Sequence, residues 1–561
     1  MQTRWAAQVD LDGPLPEHPR PQLVRDLPWV NLNGRWDYAF MASNGRPGGW
    51  DGTIVVPFSP ETLLSGVERQ LQADEWLWYR RTGIAAPQPP DGGRVLLHFG
   101  AVDQSCTVWV NGVEVGRHTG GYLPFTVDVT EQLASAGEPV ETIEVRVRDL
   151  SETAPHARGK QRLDRGTIWY TAQSGIWQTV WLEAVPSPWI EELVVTPDVA
   201  GGRFEVTAHT SDGEVHRRIV VPDEPRGWTP DDPHLHWFDV EVGADTVRTY
   251  GGLREFGVSP DRRVTLNGAV FPQVGVLDQG YWPESLMTPP TDEAMVHDIA
   301  TMKELGFTLL RKHAKVEPLR WYFHCDRLGM LVWQDVVNGG GRYRDLTTFR
   351  PARHPFWVPD RWHRLFGRSD AAGRAAFREE VRRTVRLLRN SPSVVVWTPF
   401  NEGWGQFDAN AVAREVKRLD PTRLVNHVSG WIDQGGGDIR SFHNYLRPFR
   451  LRRRPGDRRV HALTEYGGYS LRVEGHDWSD REHGYRHLET SDELAAAFVR
   501  LHEEEIVPAV RDGLAATVYT QLSDVEDELN GLLTWDREVL KIPAQVVREV
   551  TSRLRRSFLH A

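Results

Sequence analysis

The second half of the chain repeats one pattern, in which a short apolar run is followed by a longer stretch with helical periodicity. From residue 257 onward eight such runs occur, namely QVGV, TLLR, LVWQD, SVVVWTPF, LVNHV, SFHNY, ALTEY and ATVYTQ. Between them lie helical stretches such as DEAMVHDIATMKEL, FREEVRRTVRLLR and DELAAAFVRLHEEE. Eight strands in about 305 residues match a (β/α)₈ barrel in number and size. The sequence therefore predicts a C-terminal barrel over residues 257–561.

The first half of the chain has a β pattern and predicts two sandwiches, so the protein is expected to be multidomain. Residues 1–185 contain many short alternating strands and no long helical pattern, which favours a jelly roll. Its clearest hairpin spans Thr107–Val115, because Asn111-Gly112 tolerates the positive φ of a type I′ turn. Residues 186–256 predict a small immunoglobulin-like sandwich that is short for its class. A chain of 561 residues exceeds a single core, as this division requires.

Polar side chains follow each predicted barrel strand, and the active site of such a barrel lies at the carboxyl ends of its strands. Gln279, Asn426, His427 and Asp524 occupy some of these strand ends. The residues that we select as the candidate site are Asp278, Arg311, His313, Asp335, Asn401, Glu402, Trp404, His443, Tyr445, Glu465 and Gln521.

Two glutamates follow the fourth and the seventh predicted strands. Strands on opposite sides of a barrel can direct Glu402 and Glu465 across one shared pocket. Hydrolysis of a glycosidic bond needs this arrangement, since one acid protonates the leaving oxygen while the other carboxylate attacks or activates water. The two pKa values must then be split. The alternative interpretation is that both glutamates form surface salt bridges at the barrel rim.

The segments around these glutamates resemble glycoside hydrolase family 2, the family of β-galactosidases and β-glucuronidases. RNSPSVVVWTPFNEGWG, which ends at Gly405, resembles its acid/base segment, and HALTEYGG, around Glu465, resembles its nucleophile segment. LNGRWDY, WYRRT, VDQSCTVWVNGVEVGRHTGGYLPFTVDVT and SGIWQTVWLE resemble its sugar-binding jelly roll. WTPDDPHLH resembles a hallmark of its immunoglobulin-like middle domain. These motifs stand in the family's domain order over nearly the whole chain.

The resemblance implies a role for several site residues. Glu402 would be the general acid/base, Glu465 the nucleophile, and Asn401 the residue that holds the sugar 2-hydroxyl. Tyr445 would donate to the carboxylate of Glu465. His443 is either a site residue or a hydrogen-bonded core histidine.

The second strand departs from the family pattern, and it leaves one assignment open. It reads LLRKHAKVEP, so the sequence does not decide whether Arg311, Lys312 or His313 faces the sugar. The Asn-x-Lys element with which β-glucuronidases grip a carboxylate is missing, because Asn530 is followed by Gly-Leu. A uronic acid substrate is therefore disfavoured.

The resemblance implies a retaining exo-glycosidase, most simply one that is β-galactosidase-like. Other sugars, such as a β-mannoside, a β-glucuronide or an arabinofuranoside, are alternatives on the same fold. Transglycosylation would use the same two carboxylates with a sugar acceptor. A carbohydrate-binding protein with an inactive barrel is a further alternative, but both glutamates stand in intact motifs.

The overall charge and the cysteine content limit the partners and cofactors. The net charge of −11 argues against nucleic acid or an anionic membrane as a partner. Two cysteines make neither a disulfide framework nor a zinc site, and no cofactor is expected to be required. No signal-peptide-like or membrane-spanning apolar run occurs, so we expect a cytoplasmic protein, with a homo-oligomer left open.

One acidic segment near the end of the predicted barrel could hold a hard cation. A solvated acidic loop beside the pocket is the interpretation that we favour, because the glycine-spaced order of a calcium loop is missing. Its oxygen-bearing residues are Asp524, Glu526, Asp527, Glu528 and Asn530.

Overall fold

The first part of the chain forms two antiparallel sheets that share one apolar core. The computed structural model describes residues 1–134, 140–348, 350–353 and 356–560. Leu77 and Val145 of one sheet pack in the same cluster as Leu97 and Leu182 of the other, as a sandwich requires. The six-stranded sheet has the spatial order Gly52–Val56, Gly34–Met41, Trp76–Ile84, Val140–Arg148, Ser105–Val110, Val113–Thr119. The four-stranded sheet has the order Trp29–Asn31, Val180–Val185, Arg94–Phe99, Phe125–Asp128.

The hairpin predicted over Thr107–Val115 is confirmed. Its strands pair Val110 with Val113, and the turn between them consists of Asn111 and Gly112. Both turn residues have positive φ, 47° for Asn111 and 79° for Gly112. That geometry belongs to a type I′ turn, whose twist matches that of the flanking strands.

Two smaller sheets follow the sandwich. Strands Ile190–Asp198, Arg203–Thr210 and Val215–Val220 form the first, and strands His236–Val242 and Asp245–Gly251 form the second. Phe204 and Val247 bring the two sheets into one apolar cluster. Five strands are fewer than the seven of an immunoglobulin constant-type domain. The boundaries proposed after residues 185 and 256 stay predictions.

The predicted barrel is confirmed: eight parallel strands form one nearly closed sheet. Consecutive strands are neighbours in the sheet, and a hydrogen-bonded ladder also joins the first strand to the eighth. The gap in the sheet lies between the fifth and the sixth strands, which no ladder joins among the described residues. In chain order the strands are Gln273–Asp278, Leu309–Lys312, Leu331–Asp335, Val394–Thr398, Leu424–Val425, Ile439–Asn444, Val460–Gly467 and Ala516–Thr520. Each strand coincides with one of the eight apolar runs of the sequence.

Helices surround the barrel, and the three predicted helical stretches are confirmed. The longer helices among the described residues are Asp292–Glu304, Leu319–Leu328, Ala371–Leu388, Ala409–Leu419, Ser491–Leu501 and Ala544–His560. Thr291 caps the first of them, since its side chain accepts from the Ala294 amide. None of the helices described is both long and apolar enough to span a membrane.

One end of the barrel interior is covered by a short sheet. Strands Phe256–Val258, Val264–Leu266 and Ala269–Val270 form a short sheet. Phe256 and Leu266 pack in the same apolar cluster as Leu309 and Trp333 of the barrel strands. The barrel interior is therefore filled with side chains rather than open as a pore.

Candidate active site

Glu402 lies just after the fourth barrel strand in a backbone conformation that fixes its direction. Its φ is +48°, in the left-handed region, which costs a non-glycine residue on the order of 1–2 kcal/mol. The Glu402 amide donates to the Ser429 carbonyl at 2.9 Å, and the Trp431 indole donates to the Glu402 carbonyl at 3.1 Å. Two bonds from the loop after the fifth strand thus hold this strained residue.

Glu465 lies on the seventh strand, and both of its carboxylate oxygens accept a hydrogen bond. Arg311 donates to Oε1 at 2.8 Å, and the Tyr445 hydroxyl donates to Oε2 at 2.6 Å. Tyr445 also lies 3.0 Å from the hydroxyl of Thr520 and stacks on Tyr485 with a centroid separation of 3.8 Å. The carboxylate of Glu465 is therefore fixed in one orientation.

His443 lies between the two glutamates. Its Nδ1 is 2.7 Å from Oε1 of Glu402 and 3.3 Å from Oε2 of Glu465, while its Nε2 is 2.8 Å from the Ser429 hydroxyl. One oxygen of each glutamate and a ring nitrogen of His443 all lie within 4.8 Å of one another. Both glutamates are buried, with exposures of 7% for Glu402 and 5% for Glu465.

The surroundings separate the pKa values of the two carboxyl groups. Burial and then the charge of Glu465 raise the pKa of Glu402, against the opposing effects of His443 and Lys160. Burial acts on Glu465 in the same direction, but His443, Arg311 and the Tyr445 hydroxyl outweigh it and lower the pKa of Glu465. One group is thus suited to hold a proton and the other to remain ionised.

Among the described residues, the one group of His, Cys, Asp and Glu side chains close enough to hold a metal ion is Glu402, His443 and Glu465. Arg311 already donates to Oε1 of Glu465. A cation at this place would lie beside that guanidinium, so the donor set fits a metal ion poorly.

Arg311 was one of the candidates for contact with the substrate, and its hydrogen bonds in the structure indicate a different role. Its side chain is fully buried, and all five of its N–H groups are used within the protein. They donate to both oxygens of Asp335 at 3.1 and 2.9 Å, to the Thr464 carbonyl at 3.1 Å, to Glu465 at 2.8 Å and to Asn401 at 2.8 Å. Arg311 therefore positions Glu465 and Asn401 and has no donor left for a sugar.

Asn401 and His313 are each oriented by a hydrogen bond with another buried polar side chain. Because Oδ1 of Asn401 accepts from Arg311, its Nδ2 points the other way, and this buried nitrogen has no hydrogen-bond partner among the described residues. Nδ1 of His313 lies 2.6 Å from Oδ2 of Asp335. Asn401 thus offers a free amide donor, whereas Asp335 serves Arg311 and His313 rather than a ligand.

Asp278 was also predicted to bind the substrate, and its side chain points elsewhere. Successive residues of a strand alternate between the interior and the exterior of a barrel. Leu277 and Arg311 face inward, so Asp278 and Lys312 face outward, where they form an ion pair at 2.7 Å. Of the three candidates on the second strand, Lys312 is therefore excluded from the pocket.

Gln521 and Trp404, both predicted site residues, are buried at the edge of the pocket. Gln521 accepts from Gln279 at 2.8 Å and donates to Asn530 at 2.7 Å. Trp404 is 1% exposed, and its ring lies 5.9 Å from that of His313 and 5.1 Å from that of Trp169. Both residues support the site rather than contribute open surface to it.

The acidic segment near residue 526 was expected to be a solvated loop, and that expectation is wrong. All four acidic residues are buried because cations and amides from elsewhere in the chain pair with them. Their partners are Lys541 for Asp524 at 2.6 Å, the Thr171 amide for Glu526 at 3.1 Å, Arg165 for Asp527 at 2.8 Å and Lys160 for Glu528 at 3.5 Å.

Lys160 was missed by the sequence analysis. It belongs to the long connection between strands Val140–Arg148 and Val180–Val185 of the first sandwich. It is 3.2 Å from the Tyr170 hydroxyl, and its charge acts on the pKa of both Glu402 and His313. No motif marks this lysine, because only the packing of the sandwich against the barrel brings it to the site.

A parallel barrel with two buried carboxyl groups at strands four and seven, whose pKa values are shifted in opposite directions, has the arrangement that glycoside hydrolysis requires. Two family models match the chain: the TIM barrel domain of glycosyl hydrolases family 2 at residues 290–446 and the galactose-binding domain-like domain of glycosyl hydrolase 2 at residues 58–175. The chain belongs to glycoside hydrolase family 2.

Individual relatives agree with this family and differ in their sugars. A β-galactosidase of Thermoanaerobacter pseudethanolicus is 21% identical over 80% of this chain and 60% of its own length. A β-glucuronidase of Canis lupus familiaris is 26% identical over 76% of this chain and 72% of its own length. The structure of an uncultured Clostridium β-glucuronidase superposes with a TM-score of 0.70 and 16% identity, covering 95% of this chain and 99% of that one. The chain spans 34–60% of the length of three β-galactosidases that it matches.

Proposed function

We propose that the protein is a retaining exo-glycosidase that removes a terminal, non-reducing sugar by double displacement. In the first step Oε2 or Oε1 of Glu465 attacks the anomeric carbon, and Glu402 gives its proton to the departing glycosidic oxygen. A glycosyl ester of Glu465 forms as the bond to the leaving group breaks. The single observation that carries the proposal is the close approach of two buried glutamates in one pocket, with the pKa of Glu402 raised and that of Glu465 lowered.

In the second step water replaces the leaving group. Glu402, now ionised, takes a proton from water, whose oxygen attacks the anomeric carbon and releases the carboxylate of Glu465. Both inversions together restore the original anomeric configuration. A sugar hydroxyl in place of water would give transglycosylation through the same intermediate.

The separation of the two glutamates supports retention. In retaining enzymes the carboxyl groups lie about 5–5.5 Å apart, whereas inverting enzymes leave about 6.5–9.5 Å for a water molecule. Here an oxygen of Glu402 and an oxygen of Glu465 lie within 4.8 Å. This separation agrees with the spacing of retaining enzymes rather than with that of inverting enzymes, so it favours direct attack by Glu465.

A neutral sugar, with a β-galactoside as the first choice, is the substrate that we propose. Lys160 is paired with Glu528, and Arg311 with Asp335 and Glu465. These two cations are therefore neutralised by the protein, and neither is left to bind a uronate carboxylate. The free Nδ2 of Asn401 supports its role as donor to the 2-hydroxyl.

The proposal is tested by a panel of 4-nitrophenyl glycosides in β-galacto, β-gluco, β-manno, β-glucurono and α- or β-arabino forms. The wild type should hydrolyse the β-galactoside, and Glu465→Gln should lower kcat by at least about 10³-fold while the protein stays folded, because an amide cannot form the glycosyl ester. A preference for the glucuronide would overturn the choice of sugar. Full activity of Glu465→Gln would overturn the mechanism.

A further inference from the structure

The position of the general acid fixes where the leaving group must lie. If Glu402 protonates the glycosidic oxygen, as in the proposed function on which this inference rests, the leaving group extends from that oxygen on the Glu402 side of the pocket. Described residues of the loops after the third and fifth barrel strands, among them Phe366 and Trp431, lie near Glu402. Trp431 is the side chain there that is tied to Glu402 itself.

Trp431 contacts Glu402 directly and also packs against His443, which bonds the Glu402 side chain. Its indole nitrogen donates to the Glu402 carbonyl at 3.1 Å. Its ring meets the His443 ring edge to face at 5.7 Å and 75°, and that histidine bonds the Glu402 carboxyl group. Because Trp431 is only half-buried, part of its ring remains available to a ligand.

The position of Trp431 is set by packing from two separate loops. The ring packs against an apolar cluster of Val358, Phe366 and Ile432. Val358 and Phe366 follow the third barrel strand, and Ile432 follows the fifth. A platform that is fixed before binding loses little conformational entropy when a ligand stacks on it.

A second, more exposed tryptophan is anchored to the same loop as Trp431. Trp357 is 63% exposed, and yet its indole nitrogen donates to the Asp433 carbonyl at 3.1 Å, two residues beyond Trp431. The Asp433 side chain is occupied by Arg459, with two contacts of 2.8 Å. The surface beside Glu402 therefore carries two tryptophans, and the carboxylate of Asp433 in the same loop is neutralised by Arg459.

We propose that Trp431 is the platform for the sugar ring that leaves, and that Trp357 contacts the next ring outward. The occupant is a pyranose bonded through its hydroxyl oxygen to the sugar that Glu465 attacks. The apolar C–H face of a pyranose stacks on an indole face, and such a contact needs no charged partner. The natural substrate is thus an oligosaccharide that is shortened from its non-reducing end.

The test compares two substrates that share the transferred sugar and differ in the leaving group. The first is the methyl glycoside, which has no ring on the Glu402 side, and the second is the corresponding disaccharide. Trp431→Ala should lower kcat/KM for the disaccharide by about tenfold or more, mostly through KM, and lower it less for the methyl glycoside. Trp431→Phe, which keeps an aromatic face, should recover most of the loss.

Trisaccharide hydrolysis tests Trp357 in the same way, and this exposed residue can be replaced without disturbing the core. Trp357→Ala should lower kcat/KM more for the trisaccharide than for the disaccharide. Trp237, 43% exposed on the strand His236–Val242, provides the matched control, and Trp237→Ala should leave all rates unchanged. An acceptor sugar added to a nitrophenyl glycoside should give less transfer product with Trp431→Ala than with wild type.

An equal loss on methyl glycoside and disaccharide would overturn the proposal, because Trp431 would then only position Glu402. No loss on either substrate would overturn it as well. Failure of the proposed function looks different, since the wild type would then hydrolyse none of these glycosides.

Discussion

The Tyr445 hydroxyl donates to Oε2 of Glu465 across 2.6 Å, and this bond favours the ionised carboxylate. Glu465 must be ionised to attack, so its lowered pKa places the acidic limb of the pH–rate profile at low pH. Tyr445→Phe should raise that pKa and move the acidic limb of kcat/KM to higher pH by about one unit, since a hydrogen bond to a charged group contributes about 1.5–3 kcal/mol.

The neighbouring Tyr485 supplies the control for this prediction. It stacks on Tyr445 in parallel at 3.8 Å, and no hydrogen bond from its hydroxyl to Glu465 is found among the described contacts. Tyr485→Phe should leave the acidic limb in place. If both variants shifted the limb equally, the cause would be a general change in the pocket rather than the bond to Glu465.

The second prediction concerns the pKa of Glu402, which burial and then the charge of Glu465 raise above the usual value of 4.5. Formation of the glycosyl ester removes the charge of Glu465, so the pKa of Glu402 should fall by about one unit or more. Titration by ¹³C NMR of labelled glutamate, in free enzyme and after trapping with an activated fluorosugar, measures both values. An unchanged pKa would mean that Glu402 does not sense the charge of Glu465.

The third prediction concerns stereochemistry. Attack by Glu465 followed by attack of water gives two inversions, so the first product should keep the anomeric configuration of the substrate. Proton NMR during the first minutes of hydrolysis separates this product from its mutarotated form. Appearance of the opposite anomer first would show that water attacks directly and that Glu465 is a base.

The fourth prediction concerns the ion pair that joins the first sandwich to the barrel. Lys160 and Glu528 lie 3.5 Å apart, and both are buried. Lys160→Met should lower the free energy of unfolding by about 3–5 kcal/mol, because it leaves a buried charge without its cation. Lys417→Met breaks a partly exposed pair with Asp438 and should cost only about 0–1 kcal/mol. Urea denaturation measures the loss of unfolding free energy in both variants. Equal losses would contradict the prediction that the buried Lys160–Glu528 pair stabilises the fold more than the partly exposed Lys417–Asp438 pair.

The barrel could be predicted because most of its strands are fully buried and read as short continuous apolar runs. The same logic places Glu402 and Glu465 at strand ends on opposite sides of one pocket. On the second strand, however, the alternation of inward and outward residues depends on a register that one sequence does not define. Arg311 and Lys312 could therefore not be distinguished until Leu309 was seen to face inward.

Contacts between parts of the chain that are distant in sequence could not be predicted from the sequence. The acidic residues near 526 looked solvated because their cations, Arg165, Lys160 and Lys541, lie elsewhere in the sequence. Burial of a carboxylate is possible only when such partners are supplied, and the fold supplies them from the first sandwich and from the segment before the last helix.

The central claim is that Glu402 acts as the acid and then as the base around a glycosyl ester of Glu465. Glu402→Ala should slow hydrolysis of a disaccharide by several orders of magnitude, whereas glycosylation by a 4-nitrophenyl glycoside, whose leaving group needs little protonation, should be far less affected.

The most direct measurement adds azide to Glu402→Ala with the nitrophenyl substrate. Azide needs no general base, so it should restore turnover and yield a glycosyl azide with the configuration of the substrate. Glu465→Ala should give no azide product of that configuration, since it has no covalent intermediate. If Glu402→Ala slowed both substrates equally and azide had no effect, Glu402 would be a binding residue and the account would be wrong.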